Sequence, residues 1–310
     1  MASKKIGLAL GSGSARGWAH IGVIRSLQEA GVGVDLACGT SIGALVAGAL
    51  AAGFLDRLDE WVHTLSWADI LRFIDVTFPW FGLIEGERIT GYFRENLSDA
   101  RIEDLDMPFA AVATDLKTGR EVIIRKGPLM DAIRASISMP GIFTPCRYGA
   151  RWLVDGGLVD PVPVSLCRTL GADIVIAVDL NADIMEKRRS RKSPVDRIVQ
   201  GAGKNNPILP AKLISFLYGK LPPVHPSVAR LFAQGKEARG PSIFEVMATS
   251  IHIMQYQITR QRLAMDKPEI LVVPRLAHIG LLEFNRAGEA VREGYEAMNR
   301  LLPRLRNLAG

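Results

Sequence analysis

Short unbroken apolar runs alternate along this chain with segments of helical periodicity. Residues 5–10 (KIGLAL) read as a first strand and run into Gly11-Ser12-Gly13-Ser14. Ile21, Ile24 and Leu27 then recur at helical spacing, ahead of Gly31 as a stop. Val34 to Cys38 reads as a second strand. Gly39-Thr40-Ser41-Ile42-Gly43 opens a small-residue helix over 42–53. Strand, helix, strand, helix at this spacing predicts an α/β fold with a parallel sheet. The alternation continues with strands at 109–114 and 121–125, joined through a turn at Lys117-Thr118-Gly119. A helix over 129–137 follows, then a strand at 152–154 ending at Asp155-Gly156-Gly157. A helix over 163–170, a strand at 173–179, a helix over 242–265, a strand at 269–273 and a helix over 285–303 complete the series.

Residues 183–240 break the pattern. They hold the run Lys187-Arg188-Arg189-Ser190-Arg191-Lys192, then Pro194, Pro207, Pro210, Pro222, Pro223 and Pro226, with Pro241 close by. This reads as a long surface insertion or lid, not a second domain. One domain over 4–305 carrying an insertion at about 183–240 is expected.

Composition narrows the class. Hydrophobic residues make up 48% of the 310 and charged residues 23%, as in ordinary globular proteins. The net charge of +6 comes from 38 basic and 32 acidic residues. Without the five bases of 187–192 the remainder is close to neutral. A nucleic-acid-binding face, which needs bases spread over a surface, is therefore not expected. Three cysteines without paired spacing (Cys38, Cys146, Cys167) suit free thiols in a reducing compartment. The longest apolar stretch, Ile42 to Leu55, falls short of the ~20 residues of a membrane helix. The apolar segment after Lys4-Lys5 is too short for a signal peptide. A cytoplasmic protein is expected.

Gly39-Thr40-Ser41-Ile42-Gly43 matches G-x-S-x-G between a strand and a helix, where a tight turn projects the serine hydroxyl. The helix N-terminus behind it favours developing negative charge. The plain alternative makes Ser41 an N-cap. The loop from Gly11 to Gly17 also joins a strand to a helix, and its small residues let backbone N–H groups converge on an anion. A dinucleotide loop would want an acid near the end of the second strand, and Cys38-Gly39-Thr40 offers none.

A serine nucleophile needs a base. His20, His63 and His252 fall inside helices, and His225 lies in the Pro-rich segment. Only His278 follows a strand. Asp155, at the end of an apolar strand before two glycines, is the better candidate. Its plain alternative is to cap the following turn.

Together these pieces resemble the patatin-like phospholipase family, in particular its bacterial RssA-type branch. The markers are GSGSARGWAHIGV (11–23), GTSIGA (39–44), ATDLKTG (113–119), ASISMPGIF (135–143) and DGG (155–157). The resemblance implies a three-layer α/β/α fold with a mainly parallel central sheet. It also implies a serine acyl hydrolase of the phospholipase or lysophospholipase type. No His/Cys/Asp cluster has metal-ligand spacing, so no metal is expected, and no cofactor. Ser41 would be the nucleophile and Asp155 the base, without histidine. Backbone amides at Gly13, Ser14, Ala15 and Arg16 would form the oxyanion hole. Gly39, Thr40, Ile42 and Gly43 would shape the elbow, and Gly156 and Gly157 the segment after the aspartate. The family loop usually carries three consecutive glycines, where Ser12-Gly13-Ser14 stands here. The backbone at Ser14 is thus expected to be one that a non-glycine residue tolerates.

Two rival readings remain at this point. One is an α/β-hydrolase triad of Ser41, Asp155 and His278. The other is a weakly active adaptor that binds a lipid or protein. For substrate handling, Trp67, Phe73, Phe78, Trp80 and Phe81 form a local aromatic enrichment suited to an acyl pocket, a lipid surface or ordinary core. The basic run suits solvent or anionic headgroups at the inner membrane face.

Overall fold

The computed structural model describes residues 4–66, 69, 100–183 and 243–309. The aromatic segment 67–81, apart from Asp69, lies outside these residues. So do the basic run 187–192 and the Pro-rich stretch.

The strands are β1 (Ile6–Leu10), β2 (Leu36–Thr40), β3 (Phe109–Asp115), β4 (Glu121–Ile124), β5 (Cys146–Tyr148), β6 (Arg151–Asp155), β7 (Ile174–Val178) and β8 (Ile270–Val272). They join in one sheet of order β5-β6-β3-β2-β1-β7-β8, with β4 also on β3. Pairing is parallel from β3 through β2, β1 and β7 to β8. It is antiparallel where β4, β6 and β5 attach. The parallel strands are apolar on both faces because both faces are covered. Leu8, Leu10, Ala37, Ala111, Ile174 and Ile176 pack into one core. Ala9, Leu36, Cys38, Ala110, Val112 and Val175 pack into the other. The first core is shared with α1 (Ala19–Glu29), α2 (Ile42–Ala51), α3 (Leu55–Thr64), α4 (Leu129–Ser136) and α7 (Ala287–Asn299). The second includes Val164, Leu166 and Cys167 of α5 (Val164–Thr169) and Leu263 of α6 (Ile243–Met265). This is the expected three-layer α/β arrangement.

The apolar run beginning at Ile42 is explained by α2, which is buried on nearly every side. The structure departs from the sequence reading in several elements. β2 extends to Thr40 because its pairing with β3 continues through Thr40↔Val112. α3 was not expected, although Leu55, Leu58 and Val62 form a buried stripe. β5 was also missed. The last expected helix is two, α7 and α8 (Leu302–Ala309). Pro303 cannot donate a backbone hydrogen bond and fits only the start of the second.

One feature of the register sets up the site. Val112 of β3 pairs with Thr40 of β2 on one edge and with Ile123 of β4 on the other. The next residue, Ala113, pairs with Val122 of β4 and with Asp155 of β6. Since β4 holds one edge throughout, β6 must share the edge that β2 occupies. It enters there head-on, where β2 stops. The C-terminal ends of β2 and β6 therefore meet within one residue step of β3.

Candidate active site

Ser41 follows the last residue of β2, and Asp155 is the last residue of β6. Their side chains meet directly: Ser41 Oγ donates to Asp155 Oδ2 at 2.5 Å. Both residues are buried, at 4% and 1% exposure. Neither plain alternative fully accounts for them. The Ser41 hydroxyl makes no cap bond to α2. Asp155 does cap its turn, with Oδ1 accepting from Gly157 N–H at 2.7 Å, but its second oxygen faces Ser41. Burial raises the Asp155 carboxyl from the ordinary range to about 6, against the opposing bonds from Ser41 and Gly157.

Ser41 sits at φ 57° and ψ −126°, a backbone that L-residues rarely adopt. The backbone around it is tightly packed. A Cβ on Gly39 would stand 2.3 Å from the Gly43 carbonyl, and one on Gly43 would stand 2.1 Å from the Leu10 carbonyl oxygen. The two glycines let the first turn of α2 fold back against β2 while touching the end of β1. That contact places the Gly11–Gly17 loop beside the elbow.

Two further serines hold the pair, and sequence reasoning missed both. Ser136, fully buried at the end of α4, accepts from Ser41 N–H at 2.8 Å and donates to the Val112 carbonyl at 2.6 Å. The Ser138 carbonyl accepts from Asp155 N–H at 2.9 Å. The segment ASISMPGIF thus grips both members. Ser136→Ala orphans two buried backbone groups, at about 1–3 kcal/mol each. It is expected to lower unfolding stability by roughly 2–6 kcal/mol, read by urea titration.

In the first loop, Gly11 N–H donates to Val178 and Ser12 N–H to Pro161. His20 Nε2 bonds the Gly11 carbonyl at 2.8 Å. Burial drives His20 down to about 4, so it is neutral at pH 7 and donates through Nε2. The four expected oxyanion amides divide. Ala15 N–H donates to Leu281 and Arg16 N–H to Gly13, so both are engaged. Among the described residues, Gly13 N–H and Ser14 N–H meet no acceptor. Ser14 takes φ 52°. That is a left-handed backbone angle which a non-glycine residue tolerates at a cost of about 1–2 kcal/mol.

His278 does not join the site. Its Nε2 lies 3.4 Å from Glu289 Oε2, and its side chain is 43% exposed. The direct Ser41–Asp155 bond leaves no place for an imidazole between them, which removes the triad reading. Thr40 Oγ1 bonds the Asp160 carbonyl at 2.7 Å and ties the elbow to the loop after Asp155. The Asp160 side chain is itself buried and lies 3.2 Å from Arg262 Nη1 of α6. The Asp115 carboxylate accepts from Lys117 and Thr118 N–H, so ATDLKTG shapes the β3–β4 turn.

Among the described residues, no helix is long and apolar enough to cross a membrane. The family model for patatin-like phospholipases matches residues 8–168. An uncharacterized NTE family protein of Mycobacterium tuberculosis is 35% identical over 323 residues, covering 94% of this chain and 89% of its own length. The lysophospholipase NTE1 of Pyricularia oryzae is 29% identical over 99% of this chain, a match that spans 19% of that longer protein. The crystal structure of VipD from Legionella pneumophila aligns over 97% of this chain and 67% of that chain, with TM-score 0.48 and 13% identity. With the family model matched over half its residues, this chain belongs to the patatin-like phospholipase family.

Proposed function

We propose that the protein is a serine acyl hydrolase that cleaves lipid esters of the phospholipase or lysophospholipase class. Ser41 is the nucleophile, Asp155 the base, and the Gly13 and Ser14 amides the oxyanion donors. The observation that carries this reading is the buried 2.5 Å hydrogen bond from Ser41 Oγ to Asp155 Oδ2. Membership in a lipid-hydrolase family, and similarity to a lysophospholipase, support the substrate class.

Asp155 Oδ2 takes the hydroxyl proton as Ser41 Oγ bonds to the ester carbonyl carbon. The carbonyl π pair moves onto oxygen, and the two free amides and the N-terminal end of α2 stabilise that charge. The tetrahedral adduct collapses, the C–O bond to the alcohol breaks, and the Asp155 proton passes to the leaving oxygen. Water then attacks the acyl-serine with Asp155 again as base, which releases the fatty acid and restores the Ser41 hydroxyl. A carboxylate at its ordinary pKa of about 3.9 is a poor base for this task, and burial supplies the missing basicity.

A fluorophosphonate probe tests nucleophile activation without knowledge of the lipid. Intact-mass analysis is expected to show one adduct per chain, mapped to Ser41 by peptide sequencing. A folded chain that stays unlabelled, or labels elsewhere, would overturn the reading in favour of an adaptor.

A further inference from the structure

We infer that His252 of α6 is a positioning residue for the oxyanion loop, acting through Arg16. This rests on the hydrolase reading above. The Arg16 side chain is buried, at 1% exposure, and its Nη2 lies 3.0 Å from His252 Nε2. A guanidinium has donors only. The contact is therefore a hydrogen bond in which His252 Nε2 accepts, and the ring proton sits on Nδ1. Leu, Phe or any side chain without an acceptor leaves that arm of Arg16 without this bond.

Arg16 passes the constraint on. Its Nε donates to the Gly13 carbonyl at 3.2 Å, and its own N–H donates to the same oxygen at 3.3 Å. The Gly13 carbonyl is thereby turned towards Arg16. In a planar trans peptide the carbonyl and the next N–H point in opposite directions. Fixing the Gly13 oxygen thus aims the Ser14 N–H away from Arg16. Ser14 N–H is one of the two amides left without an acceptor among the described residues. The line of influence runs from His252 to Arg16, to the Gly13 carbonyl, to the Ser14 N–H.

The same helix is anchored on the other half of the site. Arg262 reaches Asp160 at 3.2 Å and Glu121 at 2.9 Å. Gln255 lies so close to Gly157 that a Cβ there would stand 2.4 Å from its Nε2. α6 therefore touches the loop that follows Asp155 while His252 reaches the loop beside Ser41. It thus contacts both the loop that follows Asp155 and the loop that carries the Ser14 amide.

The test compares wild type, His252→Phe and His252→Gln in hydrolysis of p-nitrophenyl butyrate, with thermal melts of each. His252→Phe keeps an aromatic ring and removes the acceptor. Its kcat is expected to fall about 10- to 100-fold, the effect of a small misplacement. Its KM should stay within about twofold, because oxyanion bonds form in the transition state. His252→Gln presents an amide oxygen to Arg16 and is expected to recover most of kcat. If His252→Phe fails to fold, His252→Leu carries the same comparison. Wild-type kcat in the acceptor-less variant, a change confined to KM, or equal losses in the glutamine variant would overturn the inference. A wild-type chain with no turnover and no fluorophosphonate labelling would overturn the hydrolase reading and this inference with it.

Discussion

Asp155→Asn is expected to reduce ester turnover at least about 1,000-fold while leaving the fold intact. Asparagine keeps the shape of the side chain and still accepts from Gly157 N–H through its carbonyl oxygen, the bond that caps the turn at 2.7 Å. It cannot take a proton from Ser41. The wild-type pH profile follows from the same carboxyl. Burial raises Asp155 from 3.8 to about 6, and only the ionised form is a base. kcat/KM is expected to climb through about pH 6 and level above it. Stability moves the other way. A folded-state pKa above the unfolded value means that the buried carboxyl favours the fold below pH 3.8, and this is lost as pH rises through about 6. That difference corresponds to ~3 kcal/mol. Asp155→Asn removes this dependence, so its denaturation midpoint should stay flatter than wild type between pH 4 and 6. An acid limb that survives in residual Asp155→Asn activity, or a stability profile as steep as wild type, would contradict the assignment of the base.

Much of this geometry was legible from the sequence, and the rest was not for physical reasons. The β1 and β7 strands announce themselves because burial on both faces makes them unbroken apolar runs. Ser41 was legible because the elbow needs small residues at fixed offsets, and Asp155 because it precedes two glycines. Their meeting was not. It depends on β6 sharing the β2 edge of β3, a long-range register that no local pattern encodes. Ser136 was hidden for a related reason. Its partner Ser41 lies 95 residues away, and an alanine would suit its helix equally well. His252 falls inside a long helix with no local mark of its role, and its contact to Arg16 spans 236 residues. α3 went unseen because the apolar stretch from Ile42 runs straight on to Leu55 and masks the new helix. The oxyanion loop shows the opposite limit. The sequence does not distinguish the four amides, and a long-range contact to Leu281 and a local turn onto Gly13 leave two without an acceptor among the described residues.

The strain at Ser41 leads to a prediction that separates catalytic from structural demand. Ser41→Ala and Ser41→Gly both remove the hydroxyl, and each is expected to cut turnover by about 10,000-fold or more and abolish fluorophosphonate labelling. Their stabilities should differ in an unusual direction. At an ordinary position glycine is the less stable of the two by about 0.4–1 kcal/mol, because its unfolded chain has more freedom to lose. At φ 57° and ψ −126°, a sparsely populated backbone, a Cβ costs about 1–3 kcal/mol, which glycine escapes. Both variants leave Asp155 without its serine partner, so that loss cancels between them. Ser41→Gly is therefore expected to be the more stable by about 0.5–1 kcal/mol, read as the difference between urea midpoints at equal slope. Alanine as the more stable replacement would show that the elbow relaxes once the hydroxyl is gone. The positive φ would then be held by the Ser41–Asp155 bond itself. The expected order instead assigns it to Gly39, Gly43 and the Ser136 hydroxyl, all of which persist in both variants. Ser41 is then held in its strained pose by the fold around it, and the cost is borne whether or not catalysis is possible.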